Sequence, residues 1–115
     1  MWICQNNSFV SIVKDRYSDN LLCRTRKRQH LVAFIENYNY LNDLIFELPP
    51  HETDYQYRVL LSVEIVSACI ANAISNVDYD NFKGSVKDDD LYKMYSETWS
   101  SGVRNLDEHP DKFDR

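Results

Sequence analysis

Glycine and proline are scarce: two and three residues in a chain of 115. So few chain breakers argue against long irregular loops. They also exclude a glycine-rich phosphate loop, because Gly84 and Gly102 stand alone. No run of about 18 apolar residues occurs, so no membrane span is expected. The first residues lack a basic segment followed by an apolar one, so no secretory signal is expected. Cysteine is sparse and odd in number. Cys4, Cys23 and Cys69 form no close pair, which points to reduced thiols in a cytoplasmic protein. His30, His51 and His109 are far apart, and none has a partner at metal-ligand spacing. Neither a metal nor a cofactor is expected. With no nucleophile motif, the chain reads as non-catalytic.

What remains is globular in composition, with 43% hydrophobic and 13% aromatic residues. The length suits one domain, expected over residues 1–106, with a polar tail at 107–115. The net charge of −5 is unevenly spread. Residues 1–50 carry +1 and residues 78–115 carry −4. That balance argues against a general affinity for nucleic acid over the whole surface.

The longest amphipathic stretch follows Asp88-Asp89-Asp90. Leu91, Tyr95, Thr98, Trp99, Gly102, Val103 and Leu106 share one face of a helix, and Trp99 is expected in the core. The aspartates suit a helix start, where one of them can cap free N–H groups. Upstream, Trp2–Gln5 and Ser8–Val13 read as strands joined by an Asn6-Asn7 turn, for which asparagine tolerates positive φ. Leu21–Arg26 reads as a third strand, with Arg24 and Arg26 on one face. A helix is expected from Lys27 to Tyr40 on the stripe Leu31, Phe34, Ile35, Tyr38 and Leu41. Leu44–Leu48 reads as a short strand stopped by Pro49-Pro50. Tyr55–Leu61 alternates, with Tyr55, Tyr57, Val59 and Leu61 on one side. Ser62 can cap a helix reaching Val77, with Val63, Val66, Ile70, Ala73, Ile74 and Val77 inward. The order ββ-β-α-ββ-α-α implies the α+β class: an antiparallel sheet of about five strands with helices packed on one face.

Several segments occur together in a fixed order: Met1-Trp2-Ile3, Ser8–Val13, Arg24-Thr25-Arg26, Asp54–Val59, Asp78–Lys83, and then Tyr95 and Trp99. This set resembles a family of small bacterial and phage proteins of similar length. The resemblance implies a single intact domain and brings no activity with it. Gln29 and His30 stand where that family commonly carries an acidic residue.

Two surfaces are candidates for function. Asp78-x-Asp80 with Asn81 is not an EF-hand loop, because Phe82 and Lys83 occupy the positions that need an oxygen ligand and glycine. Asp78, Asp80, Asp88, Asp89, Asp90, Tyr92 and Glu97 instead suggest an acidic surface for a protein partner. That gives the first expected function, a non-catalytic protein-binding module. Its sharper form, drawn from the phage side of the resemblance, is a phage-encoded inhibitor of a bacterial defence complex. Arg24, Arg26, Lys27 and Arg28 cluster where a strand hands over to a helix, and with free N–H groups they would hold an anion. That gives the alternative, nucleotide or RNA binding at this basic corner.

Overall fold

The computed structural model describes residues 1–108. Most of the expected polar tail, including His109, lies outside the described residues. The elements are β1 (Trp2–Cys4), β2 (Phe9–Lys14), β3 (Leu21–Thr25), α1 (Arg28–Phe34), a 3₁₀ segment (Glu36–Leu44), β4 (Phe46–Glu47), β5 (Tyr57–Leu61), α2 (Val63–Ser75), α3 (Phe82–Ser85) and α4 (Asp89–Leu106). The five strands form one antiparallel sheet in the order β1-β2-β3-β5-β4, so the α+β architecture is as expected.

Alternation along the strands decides what each face of the sheet becomes. Val10, Ile12, Cys23, Val59 and Leu61 point to one face and are buried there. α1 and α2 cover it with Leu31, Phe34, Val66 and Cys69. Burial pushes the Cys23 thiol up to about 12, with Cys69 adding to the shift. Such a thiol packs as a small hydrophobe and stays unreactive. All three cysteines are free, and Cys4 is exposed.

The neighbouring strand positions point to the opposite face, where a smaller cluster forms at one end only. There Phe9 packs with Tyr55, Val86, Leu91 and Tyr95. α4 is thus placed across the sheet from α1 and α2, so helices pack on both faces rather than on the single face expected. The Tyr95 hydroxyl is shared between the carbonyl oxygens of Gln5, at 2.8 Å, and Ser8, at 2.9 Å. It clasps the β1–β2 turn, which closes by a Gln5 N–H to Ser8 carbonyl bond of 2.9 Å. The turn does this with no positive φ, so Asn6 and Asn7 are not in the left-handed region expected of them.

Four local expectations are corrected. The helix starting near Lys27 ends at Phe34 and passes into 3₁₀ geometry, with Tyr38 outside helical angles (φ −129°, ψ 45°). Ile35, Tyr38, Leu41 and Leu44 recur every third residue, which is the 3₁₀ period, and the asparagines between them favour no α-helix. Tyr55 precedes its strand and breaks the alternation. Its N–H bonds to Thr53 Oγ1 at 3.1 Å, and its ring crosses to the face opposite Val59 and Leu61. α2 is capped by Ser62, which accepts from Ile65 N–H. Its buried line is nevertheless Val66 and Cys69, and Val63, Ile74 and Val77 are exposed. Finally, Trp99 is 55% exposed rather than central. The buried residues of α4 are Leu91 and Tyr95, so the helix has no buried position beyond its clasp on the β1–β2 turn. Lys83 Nζ lies 4.4 Å from the Trp99 ring centroid and covers part of it.

Candidate functional site

The face of the sheet away from α1 and α2 carries an unusual row. Successive cross-strand partners are Trp2, Ser11, Arg24, Arg58 and Phe46. Two arginines therefore stand directly opposite each other in neighbouring strands, an arrangement that costs stability. Trp2, 68% exposed, and Phe46, 42% exposed, close the two ends of the row.

Each arginine is held in place. Arg24 Nη2 donates to Ser11 Oγ at 2.8 Å. Arg58 Nε donates to the Tyr55 carbonyl at 3.1 Å, and its Nη2 donates to Thr53 Oγ1 at 2.6 Å. Arg26 follows Arg24 at the strand parity that puts both on one face. The Tyr55 ring, displaced from its strand, ties them together: the guanidinium carbons of Arg24 and Arg26 lie 4.7 and 4.8 Å from its centroid. A contact of this kind is worth about 0.5–2 kcal/mol, more as water is excluded.

No arginine on this face forms an ion pair among the described residues. The ion pairs among the described residues join Lys27 to Asp88 and Asp90, and His51 to Glu52. Arg58 titrates below the usual arginine range, chiefly because of burial and then because of Arg24, with Asp54 partly offsetting both. Arg24 Nε is buried and has no hydrogen-bond partner. A buried charged donor without an acceptor is costly.

The basic corner expected from the sequence is divided. Arg24 and Arg26 come together, but Lys27 and Arg28 do not join them. Lys27 Nζ lies 2.8 Å from Asp90 and 3.9 Å from Asp88, and the hydrogen bond to Asp90 raises its pKa. Arg28 is exposed and its Nη2 reaches only the Asn42 carbonyl, at 3.5 Å. Arg58 takes their place. Its position between Tyr57 and Val59 marks it as facing away from the core, but which strand lies beside it is a non-local fact.

The acidic candidates are dispersed. Asp88 caps α4, its Oδ1 accepting from Asp90 N–H at 2.9 Å and Leu91 N–H at 3.1 Å. These bonds, Leu91 foremost, hold its carboxyl below the usual range. Asp89 and Asp90 occupy the first turn, where the helix dipole favours them. Asp78 and Asp80 are exposed in the link between α2 and α3. Asn81, beside them, caps α3 by accepting from Gly84 N–H at 3.1 Å. Tyr92 is 48% exposed, and Glu97 is exposed on α4.

Beside the arginines, between the β1–β2 end of the sheet and α4, lies a cavity of about 200 Å³. Trp2, Phe9, Tyr55 and Tyr95 supply aromatic surface to it, and Arg26 reaches its rim. No family model, curated protein or solved structure matches this chain. Function has to be read from the geometry.

Proposed function

We propose that the protein binds a phosphate-bearing ligand, a nucleotide or RNA, on the open face of its sheet at Arg24, Arg26 and Arg58. The observation that carries this reading is the gathering of three guanidiniums on one face, Arg24 and Arg26 over the Tyr55 ring and Arg58 opposite Arg24, none ion-paired to a carboxylate among the described residues. Guanidinium groups match phosphate oxygens in pairs, and arginine serves this role better than lysine. A bound phosphate would relieve the Arg24–Arg58 repulsion. The overall charge of −5 works against long-range steering, so attraction is local and sensitive to salt. Calorimetry with ATP and anisotropy with a fluorescein-labelled RNA decamer test the reading. Replacing Arg24 and Arg58 together by Ala should abolish ATP binding and lower the salt slope for RNA by about two units, one per phosphate contact. Unchanged binding in the double variant would refute it.

A second reading is favoured by α4, which presents Tyr92, Trp99 and Leu106 at 48%, 55% and 82% exposure. An exposed aromatic and aliphatic stripe beside acidic side chains suits a protein partner. In this reading Asp78, Asp80, Asp89 and Glu97 steer association, and the partner is a basic surface such as the nucleic-acid groove of a defence complex. Asp89→Asn with Glu97→Gln should then slow association several-fold while leaving dissociation unchanged.

A further inference from the structure

The arginine row has a second property that a mononucleotide site would not need. It runs across the sheet, perpendicular to the strands, and it ends on an exposed aromatic side chain at both sides. Four strand spacings separate Trp2 from Phe46, about 19 Å at the usual inter-strand distance. The Trp2 end opens on the aromatic cavity of about 200 Å³, smaller than a site that encloses a whole drug-sized molecule. It has room for one planar ring. Trp2 stands edge-on to Phe9, with centroids 5.6 Å apart, so the indole is braced rather than free to swing.

Resting on the phosphate-binding reading above, we propose that the occupant is a single strand of RNA or DNA laid across the five strands. One base stacks at Trp2 and the cavity beside it, another stacks on Phe46, and the phosphates between them lie on Arg24 and Arg58. Aromatic platforms alternating with cations are the means by which proteins hold unpaired strands, because every base has a stacking face. A duplex keeps its bases stacked on each other and offers nothing to Trp2 or Phe46. An acidic peptide would use the arginines and leave both aromatic ends unused. The Arg26 guanidinium, shared between Tyr55 and the cavity rim, links the base end of the site to its phosphate centre.

The test compares four probes by anisotropy and competition: a labelled oligouridylate decamer, the same length of duplex RNA, uridine monophosphate, and polyglutamate. The single strand is expected to bind at least tenfold more tightly than any of the others. Trp2→Ala and Phe46→Ala should each weaken the decamer about tenfold, one lost stack apiece, and leave uridine monophosphate at the arginines much less affected. Trp2→Phe should restore most of the loss, which guards against a variant that merely misfolds. Duplex or polyglutamate binding as tight as the decamer, or indifference to both aromatic variants, would overturn the proposal. If uridine monophosphate binds through the arginines and the decamer gains nothing over it, the strand proposal falls and the phosphate reading stands. If no probe responds to removal of Arg24 and Arg58, both fall.

Discussion

The two faces of the sheet are made by the same strands and do opposite things. On one face Val10, Cys23 and Val59 are fully buried beneath α1 and α2. On the other, one residue along, the row runs Trp2, Ser11, Arg24, Arg58 and Phe46. The first face is apolar, closely packed and matched in parity. The second departs from that pattern, with like charges opposed and a buried guanidinium nitrogen left without an acceptor. Departures of this kind are the ones expected at a functional or a strained site.

That contrast is open to attack from the covered side first. Phe34 is 1% exposed in the centre of the main core. Phe34→Ala should cost about 3–5 kcal/mol in urea unfolding, as large core truncations do. A loss under about 1 kcal/mol would mean that the covered face does not hold the fold.

A smaller effect is expected where α4 grips the opposite face. Tyr95→Phe removes the hydroxyl between the Gln5 and Ser8 carbonyls. Losing these bonds, although the Ser8 carbonyl still accepts from Gln5 N–H, should cost about 1–3 kcal/mol. Trp99→Ala, on the same helix but exposed, should cost less than about 1 kcal/mol. Equal losses would show that α4 is anchored along its whole length.

Acid sharpens the comparison at the edge of the core. His30 is 5% exposed, its Nε2 has no partner, and burial lowers its pKa despite the nearby Asp88. The unfolded chain therefore binds this proton more readily than the folded one. The stability contributed by neutral His30 is complete above about pH 6.5 and declines as the pH falls below that value. Asp88, with its pKa lowered, adds a second loss at more acidic pH, as its carboxylate is protonated. Denaturation midpoints in urea should fall between pH 7 and pH 5, and His30→Gln should flatten that segment alone.

The smallest change in stability is expected at the arginine row. Arg24→Leu removes the charge opposite Arg58 and the unpartnered nitrogen, at the cost of the bond to Ser11 and the contact with the Tyr55 ring. Stability should hold within about 0.5 kcal/mol or rise, while phosphate binding is lost. A drop as large as that for Phe34→Ala would make Arg24 a structural residue and remove the contrast.

Where features are local, the sequence was readable. Ser62 caps its helix as expected, and of the three aspartates it is Asp88 that caps α4, because an N-cap depends on its own side chain and the next few N–H groups. The five strands also followed from alternation and breakers. Other features depend on what lies across the sheet. The parity of Tyr55 looked continuous with Tyr57, and only the Thr53 turn sends its ring over the arginines. Arg24 and Arg26 were visible as a pair. Arg58 was not, since thirty-four positions separate it from its partner Arg24. Lys27 looked like a member of the cluster until Asp90, at 2.8 Å, engaged it. Trp99 had the right periodicity, but periodicity fixes only the face a residue lies on and not whether a neighbour extends far enough to cover it.

The most direct test of the account is an NMR titration of the ¹⁵N-labelled protein with the oligouridylate decamer. Amide shifts should concentrate at Ser11, Arg24, Tyr55 and Arg58, with the Trp2 indole N–H among the largest, and leave α1 and α2 unmoved. Shifts confined to α4 beyond Tyr95, or none at millimolar RNA, would contradict it.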